Sequence, residues 1–299
     1  MAILLSNEIL NSVKMELQSA TSSVQIITAY CKEKTLLYLN NCIGENVKEK
    51  NLMLRFRMDD VIKGSTDFSA VKMALETGWN VYVRFDLHAK TYVIDNKRGL
   101  VGSANATNAG LSIGRLRNME IATLIDIEEK DIEKIRRLFD EAIRIDRSLL
   151  MEMEKQVNAV SVKDSNLGYN WDSKIIKLFH PNIETLFSYE LPEEFTFTVG
   201  TYFSFIDEVY TGQKDKIKES FRWSNSYLWL LKTLKENDNC MYFGELCAKL
   251  HSAVISDPKP YRREVKQMLS NLLDFVEMLN MEEIVVDRPN YSQRIRIRK

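Results

Sequence analysis

The sequence predicts two folded parts, a layered α/β domain over residues 1–147 and a mainly helical domain over 216–299. In the first part, amphipathic helices alternate with short apolar strands, which is typical of layered α/β folds. In the second part, three helices precede a β-hairpin, and this order is typical of a winged helix. A chain of 299 residues is long enough for two domains. Residues 148–215 show no clear pattern, and we treat them as a connecting region.

Hydrophobic periodicity places the elements of the first part. Ile9, Val13 and Leu17 share one face of a helix, whereas the apolar run from Val24 to Tyr30 fits a buried strand. The same criteria predict helices over 8–20, 36–43, 67–76 and 129–142, and strands over 24–30, 52–57, 79–84, 88–94, 99–102 and 119–126. Gly78 is expected to end the third helix.

The elements of the second part follow from the same criteria. Helices are predicted over 226–236, 243–250 and 260–280, and hairpin strands over 284–286 and 294–298. Pro260 is expected in the first turn of the third helix, where a missing N–H costs nothing. Within the connecting region, residues 195–199 alternate like a strand.

The charge balance excludes a uniformly basic nucleic-acid coat, because 41 Lys and Arg face 42 Asp and Glu. From residue 213 onward, 16 basic residues face 12 acidic ones, and the excess falls on the third helix and the hairpin. Such a run is either an ordinary solvated face or a surface that contacts DNA. The candidates for DNA contact are Lys259, Arg262, Arg263, Lys266, Arg294 and Arg296.

The sequence gives no sign of a membrane segment or a metal site. No apolar stretch approaches the roughly 20 residues that span a bilayer, and the N-terminus lacks the pattern of a signal peptide. The four cysteines, Cys31, Cys42, Cys240 and Cys247, have no zinc-ligand spacing. We therefore expect reduced thiols in a cytoplasmic protein with no membrane partner.

One segment combines polar residues that suit a phosphate group. On a predicted strand, His88 and Lys90 project from the same face. A lysine neutralises phosphate oxygens, and a histidine can attack phosphorus or transfer a proton. Ser103 and Asn105 can each donate a hydrogen bond to a phosphate oxygen, and Gly102 lets the backbone come close.

The order of these residues resembles the signature of the phospholipase D superfamily, H-x-K-x4-D followed by G-S-x-N, here His88, Lys90, Asp95, Gly102, Ser103 and Asn105. The resemblance covers residues 1–145, and a single motif is similar to the bacterial nuclease branch. It implies a layered α/β/α domain with a mixed sheet and phosphodiesterase activity without a metal or other cofactor. Gly102 is a supporting residue, and Asp95 is expected to fix the turn after its strand.

The resemblance also implies roles for the catalytic residues. His88 acts as the nucleophile or the acid, through a phosphohistidine intermediate. Lys90 and Asn105 bind the phosphate, and Ser103 is a supporting donor. Glu120 is similar to the carboxylate that orients the histidine in this superfamily, although a glutamate on a strand also has an ordinary structural explanation.

The superfamily uses two such motifs in each active site, whereas this sequence has one. His180 and His251 have no lysine two residues later and no downstream G-S-x-N, so we interpret both as ordinary histidines. The resemblance therefore implies a homodimer, in which a second copy supplies the other His88 and Lys90 half-site in trans. Two histidines this close would titrate as a coupled pair.

Several functions remain open at this point, because the superfamily motif does not fix the substrate. The leading hypothesis is a homodimeric, metal-independent DNA endonuclease in bacterial defence against foreign DNA. One alternative is a hydrolase of phospholipids or small phosphodiesters. Others are a nuclease subunit with an ATPase or helicase partner, and a DNA-binding protein on an inactive scaffold.

Overall fold

The computed structural model of the chain describes residues 3–115, 117–160, 169–176, 178–179 and 182–298. The chain divides into two units, Met1–Phe179 and His180–Lys299. The boundary between them lies inside the segment 148–215, which shows no clear pattern in the sequence. His180 lies outside the described residues.

The elements of the first unit alternate between strands and helices along much of its length. In chain order they are β1 (Ile3–Leu5), α1 (Ser6–Ser19), β2 (Ser23–Thr28), α2 (Glu33–Asn40), β3 (Glu49–Arg55), α3 (Met58–Ile62), α4 (Phe68–Glu76), β4 (Asn80–Arg84), β5 (Lys90–Ile94), β6 (Arg98–Gly102), β7 (Ile121–Asp126), α5 (Glu129–Asp140), β8 (Ile143–Ile145), α6 (Arg147–Ala159) and α7 (Ser173–Ile176).

The strands of the first unit form one mixed sheet in the order β1-β7-β6-β5-β2-β3-β4-β8. β2, β3 and β4 are parallel, whereas β5 pairs antiparallel with β2. Every residue of β2 is buried, including the polar Ser23, Gln25 and Thr28, as is typical of a strand in the middle of a covered sheet. The predicted α/β fold with a mixed sheet is therefore confirmed.

Both faces of the sheet are buried at its centre. Ile27, Met53 and Tyr82 are register partners on β2, β3 and β4, and they pack against α5. Ile26 and Leu52 point to the opposite face and are fully buried as well. α1 packs against β1, β5 and β7.

An apolar row near the β1 edge is exposed on the face that α5 covers at the centre. The row of Ile27 continues through its register partner Thr91 on β5 to Val101 on β6. From there it continues through Thr123 on β7 to Ile3 on β1. Leu5 and Ile121 pair directly beside this row. The exposed fractions are 71% for Ile3, 47% for Leu5, 38% for Val101 and 52% for Ile121. We call these four residues the exposed strip.

The second unit is mainly helical. In chain order its regular elements are β9 (Tyr202–Phe203), β10 (Glu208–Val209), α8 (Lys214–Arg222), α9 (Asn225–Lys235), β11 (Cys240–Tyr242), α10 (Phe243–Ala253), α11 (Arg262–Met278), β12 (Ile284–Asp287) and β13 (Arg294–Ile297). β11, β13 and β12 form an antiparallel sheet in that order.

Two local predictions for the second unit are wrong. α11 begins at Arg262 with Tyr261 as its N-cap, so Pro260 precedes the helix instead of lying in its first turn. The predicted strand over 195–199 is irregular backbone. Its alternation reflects packing, because the rings of Phe195 and Phe197 lie 5.3 and 5.2 Å from the ring of Phe275.

Asp95 fastens the end of β5 to the start of β2. Its carboxylate accepts hydrogen bonds from the backbone N–H groups of Thr21, Ser22 and Ser23 at 2.7 to 2.9 Å, and from the hydroxyls of Thr21 and Ser22. Partial burial opposes ionisation, but these bonds hold the pKa of Asp95 well below its usual range. Asp95 therefore acts at the opposite end of β5 from Lys90.

We predict that Asp95→Ala lowers the free energy of unfolding by about 2–3 kcal/mol at pH 7, because several charge-assisted hydrogen bonds are lost together. Urea unfolding of the variant and the wild type measures the difference. The folded-state pKa is depressed, so the contribution is complete above the ordinary value of 3.8 and is lost as the pH falls below it. Asp126→Ala, at an exposed end of β7, is the matched control. Equal stability of both variants would contradict this account.

Candidate active site

The site lies at the end of the sheet where β2 and β3 finish and β5 begins. Lys90, the first residue of β5, pairs with Thr28, the last residue of β2. β4 and β5 are separated in the sheet by β3 and β2, so the loop over 85–89 must cross the ends of both strands. His88 lies in this crossing loop.

His88 and Lys90 are adjacent, but strand pleating does not align them. β5 begins at Lys90, so the expectation that His88 shares a strand face with it is wrong. Lys90 is buried, and its Nζ donates a 2.6 Å hydrogen bond to the carbonyl oxygen of His88. The imidazole of His88 is exposed and has no hydrogen-bond partner among the described residues. The lysine is thus held in place, while the histidine is open to a ligand.

Neighbouring positive charges control the protonation of this pair. The charge of Lys90, followed by partial burial and the charge of Arg55, lowers the pKa of His88 below its usual value. Partial burial and then Arg55 lower the pKa of Lys90, and the charge of Glu120 opposes them. A lowered pKa leaves His88 neutral near pH 7, which is the form that can attack phosphorus.

Asn105 is fixed through its side-chain oxygen. Oδ1 accepts hydrogen bonds from the backbone N–H of Tyr30 at 3.0 Å and from the hydroxyl of Thr28 at 3.3 Å. Its Nδ2 has no partner among the described residues, so this donor is available to a phosphate oxygen. A Cβ on Gly110 would lie 2.5 Å from the carbonyl oxygen of Asn105, so the loop requires glycine there. Neither Thr28 nor Gly110 belongs to the sequence motif, so neither was among the predicted site residues.

Glu120 contacts Ser103 in this structure. The hydroxyl of Ser103 donates to one oxygen of the buried Glu120 carboxylate, and the Asn118 amide donates to the other at 3.0 Å. The hydroxyl of Ser6, at the start of α1, accepts a 2.6 Å bond from the Glu120 N–H. Within the described residues Glu120 makes no hydrogen bond to His88, the residue it was expected to orient. Ser6 carried no recognisable signal in the sequence.

Gly102 is required by the neighbouring strand. A Cβ at this position would lie 2.4 Å from the carbonyl oxygen of Ile121 and 2.6 Å from the Cβ of Ala122. The close approach that this glycine allows is therefore to β7, whereas the sequence suggested an approach to a ligand.

Arg55 holds Tyr30 from the side opposite Asn105. Its guanidinium donates to both carboxylate oxygens of Asp60 at 2.7 and 2.8 Å and to the Tyr30 hydroxyl at 2.5 Å. The guanidinium carbon lies 4.8 Å from the centre of the Tyr30 ring. Tyr30 therefore links the Arg55–Asp60 ion pair to the side chain of Asn105.

The candidate DNA-contacting residues lie on two elements of the second unit. Four are exposed at or just before the start of α11 and have no ion-pair partner among the described residues: Lys259, Arg262, Arg263 and Lys266. On β13, Arg294 and Arg296 instead pair with Asp287 at 2.8 and 3.3 Å.

Among the described residues, no group of three or more His, Cys, Asp or Glu side chains is arranged to hold a metal ion. None of their helices combines the length and the apolar character needed to cross a bilayer.

Part of the first unit matches a known family. The sequence profile of the family described as "Cardiolipin synthase, PLD-like domain" matches residues 13–143, which include the motif and Glu120. This part of the chain is therefore a phospholipase D-like domain, and the coarse function that the match supports is enzymatic chemistry at a phosphodiester bond. No curated protein matches the chain.

Two solved structures are similar to about half of the chain. Nuc, a phospholipase D family member from Salmonella typhimurium, has 18% sequence identity and a TM-score of 0.40, and the match covers 48% of this chain and 96% of Nuc. NucT from Helicobacter pylori has 15% sequence identity and a TM-score of 0.37, and the match covers 48% of this chain and 98% of NucT.

We predict that Lys90→Gln raises the pKa of His88, because it removes the like charge with the largest effect on the imidazole. An NMR titration of the histidine ring protons, assigned with His88→Ala, measures the shift. Lys97→Gln, an exposed lysine at the other end of β5, is the control and should leave the titration unchanged. An unchanged or lower pKa in Lys90→Gln would contradict this electrostatic account.

Proposed function

We propose that the chain is a metal-independent DNA endonuclease that acts as a homodimer through a phosphohistidine at His88. One observation carries the proposal: an unbonded imidazole lies beside a fixed ammonium group, on a sheet end that also presents the unpaired amide of Asn105. Fixed cationic and amide donors can stabilise the charge that develops on a phosphate under attack.

The chemistry needs two histidines with different tasks. A ring nitrogen of His88 attacks phosphorus, a P–N bond forms, and one P–O bond breaks. The oxygen of the leaving strand takes its proton from His88 of the second copy. That second histidine then removes a proton from water, whose oxygen displaces His88 from phosphorus. Lys90 and Asn105 hold the non-bridging oxygens throughout, whereas the hydroxyl of Ser103 donates to Glu120 beside them.

The exposed strip supports a second copy as the source of the other half-site. The Ser103 N–H donates to the carbonyl oxygen of Ile121, so the strip continues directly into the active site. Exposed apolar side chains in one row favour burial against another surface. A two-fold axis through such a row places identical residues opposite each other. Strip-to-strip packing would therefore bring two copies of His88 toward one phosphate.

The topology of the second unit supports DNA as the substrate. Its order is α9-β11-α10-α11-β12-β13, with β13 between β11 and β12, and this order supports the winged helix that we propose. In helix-turn-helix folds the last helix enters the major groove through its N-terminal residues. That part of α11 carries the unpaired cations Arg262, Arg263 and Lys266. A role in bacterial defence rests on the family resemblance alone.

A phospholipid or small-phosphodiester hydrolase is the second candidate. The description of the matching family profile, which names cardiolipin synthase, favours it. A nuclease and a lipid hydrolase would share the attack by His88 and differ in how the rest of the substrate is held. The ATPase or helicase partner stays a hypothesis from the sequence.

We predict that the wild type cleaves plasmid DNA in the presence of EDTA and that His88→Ala lowers the rate by about 1,000-fold or more, because the nucleophile is removed. His251→Ala, which changes a half-buried histidine of α10, is the matched control and should cut at the wild-type rate. Cleavage by His88→Ala at the wild-type rate would contradict the assignment. Hydrolysis of small phosphodiesters without plasmid cleavage would favour the second candidate.

A further inference from the structure

One exposed cation near the active site has no part in the reaction described above. Arg57 follows β3 directly, and its Nε donates a 2.5 Å hydrogen bond to the carbonyl oxygen of Phe85. Its two terminal nitrogens have no partner among the described residues. Arg55 differs, because Asp60 and Tyr30 occupy its guanidinium. Arg57 is therefore anchored at one nitrogen and open at the others.

The anchor places Arg57 on the same end of the sheet as the motif. Phe85 begins the crossing loop that carries His88. β3 is separated from β5 by one strand, so the ends of these strands lie about 10 Å apart. Successive phosphates of one DNA strand rise by about 3.4 Å each along the helix axis. A cation after β3 therefore suits a phosphate close to the one under attack on the same strand.

The local charge also favours an anion at this position. Partial burial and then the charge of Arg55 lower the pKa of Arg57, which means that the charged form of the guanidinium is destabilised at this position. A bound phosphate would offset both effects. Two nearby carboxylates, Asp60 and Asp86, oppose these effects. Both are already bonded to other arginines, Asp60 to Arg55 at 2.7 and 2.8 Å and Asp86 to Arg84 at 2.9 and 3.0 Å.

We propose that Arg57 binds a second phosphate of a polymeric phosphodiester and so makes the site selective for nucleic-acid chains over single diesters. This inference rests on the proposed nuclease function and adds a substrate subsite to it. A substrate with one phosphate can occupy the His88 position but cannot reach Arg57 at the same time.

The test compares Arg57→Gln with the wild type on a DNA duplex and on bis(p-nitrophenyl) phosphate, which has a single phosphodiester. We expect the loss of kcat/KM on DNA to be about tenfold greater than the loss on the small diester. A plot of the logarithm of the DNA-binding constant against the logarithm of the salt concentration should become less steep, its slope changing by about one. Arg136→Gln changes an exposed arginine of α5 and is the matched control, which should leave kcat/KM unchanged on both substrates.

Arg57→Lys separates charge from the hydrogen bond to Phe85. It keeps the cation, so most of the activity on DNA should return, whereas a purely structural arginine would not be rescued. Equal losses on both substrates, or no loss on DNA, would overturn the inference.

If the wild type hydrolyses only the small diester, the nuclease proposal fails on its own. The subsite is then tested by the DNA binding of the single variant His88→Ala and of the double variant that also carries Arg57→Gln. A weaker dependence of binding on salt in the double variant supports the subsite, and an equal dependence in both variants overturns it.

Discussion

The active site depends on the antiparallel pairing of β5 with β2. At one end of this pair Lys90 lies beside Thr28, and the Asn105 loop is bonded to Thr28 and Tyr30. At the other end the carboxylate of Asp95 fastens the same two strands. The two ends of the motif thus have separate tasks, because the end with Asp95 holds the register that the candidate active site at the other end requires.

Uncompensated positive charge is the second property that shapes the site. The carboxylate of Asp60 is bonded to Arg55, while Lys90 and Arg57 have no ion pair among the described residues. The resulting field disfavours a further proton on His88 and favours an anion beside it. The nucleophile activation and the phosphate binding that we propose would therefore have the same electrostatic origin.

The sequence predicts the features that have a local period or a local motif. The buried run of β2 and the alternation of helices and strands were sufficient for the α/β fold. β1, β8 and β11 have three residues each, too few for a period to be recognised. In the site, the motif identifies His88 and Lys90, but Ser6, Tyr30 and Gly110 act through distant contacts that only the fold creates. Glu120 was expected at the histidine, yet the geometry bonds it to Ser103.

The central claim is that one active site needs His88 from two copies of the chain. Co-expression of wild-type and His88→Ala chains with different affinity tags, followed by purification through both tags, gives a hybrid dimer. The account predicts that this hybrid has less than about 1% of the wild-type cleavage activity, because nucleophile and proton donor must both be present. A hybrid with about half of the wild-type activity would contradict it, since each chain would then act alone.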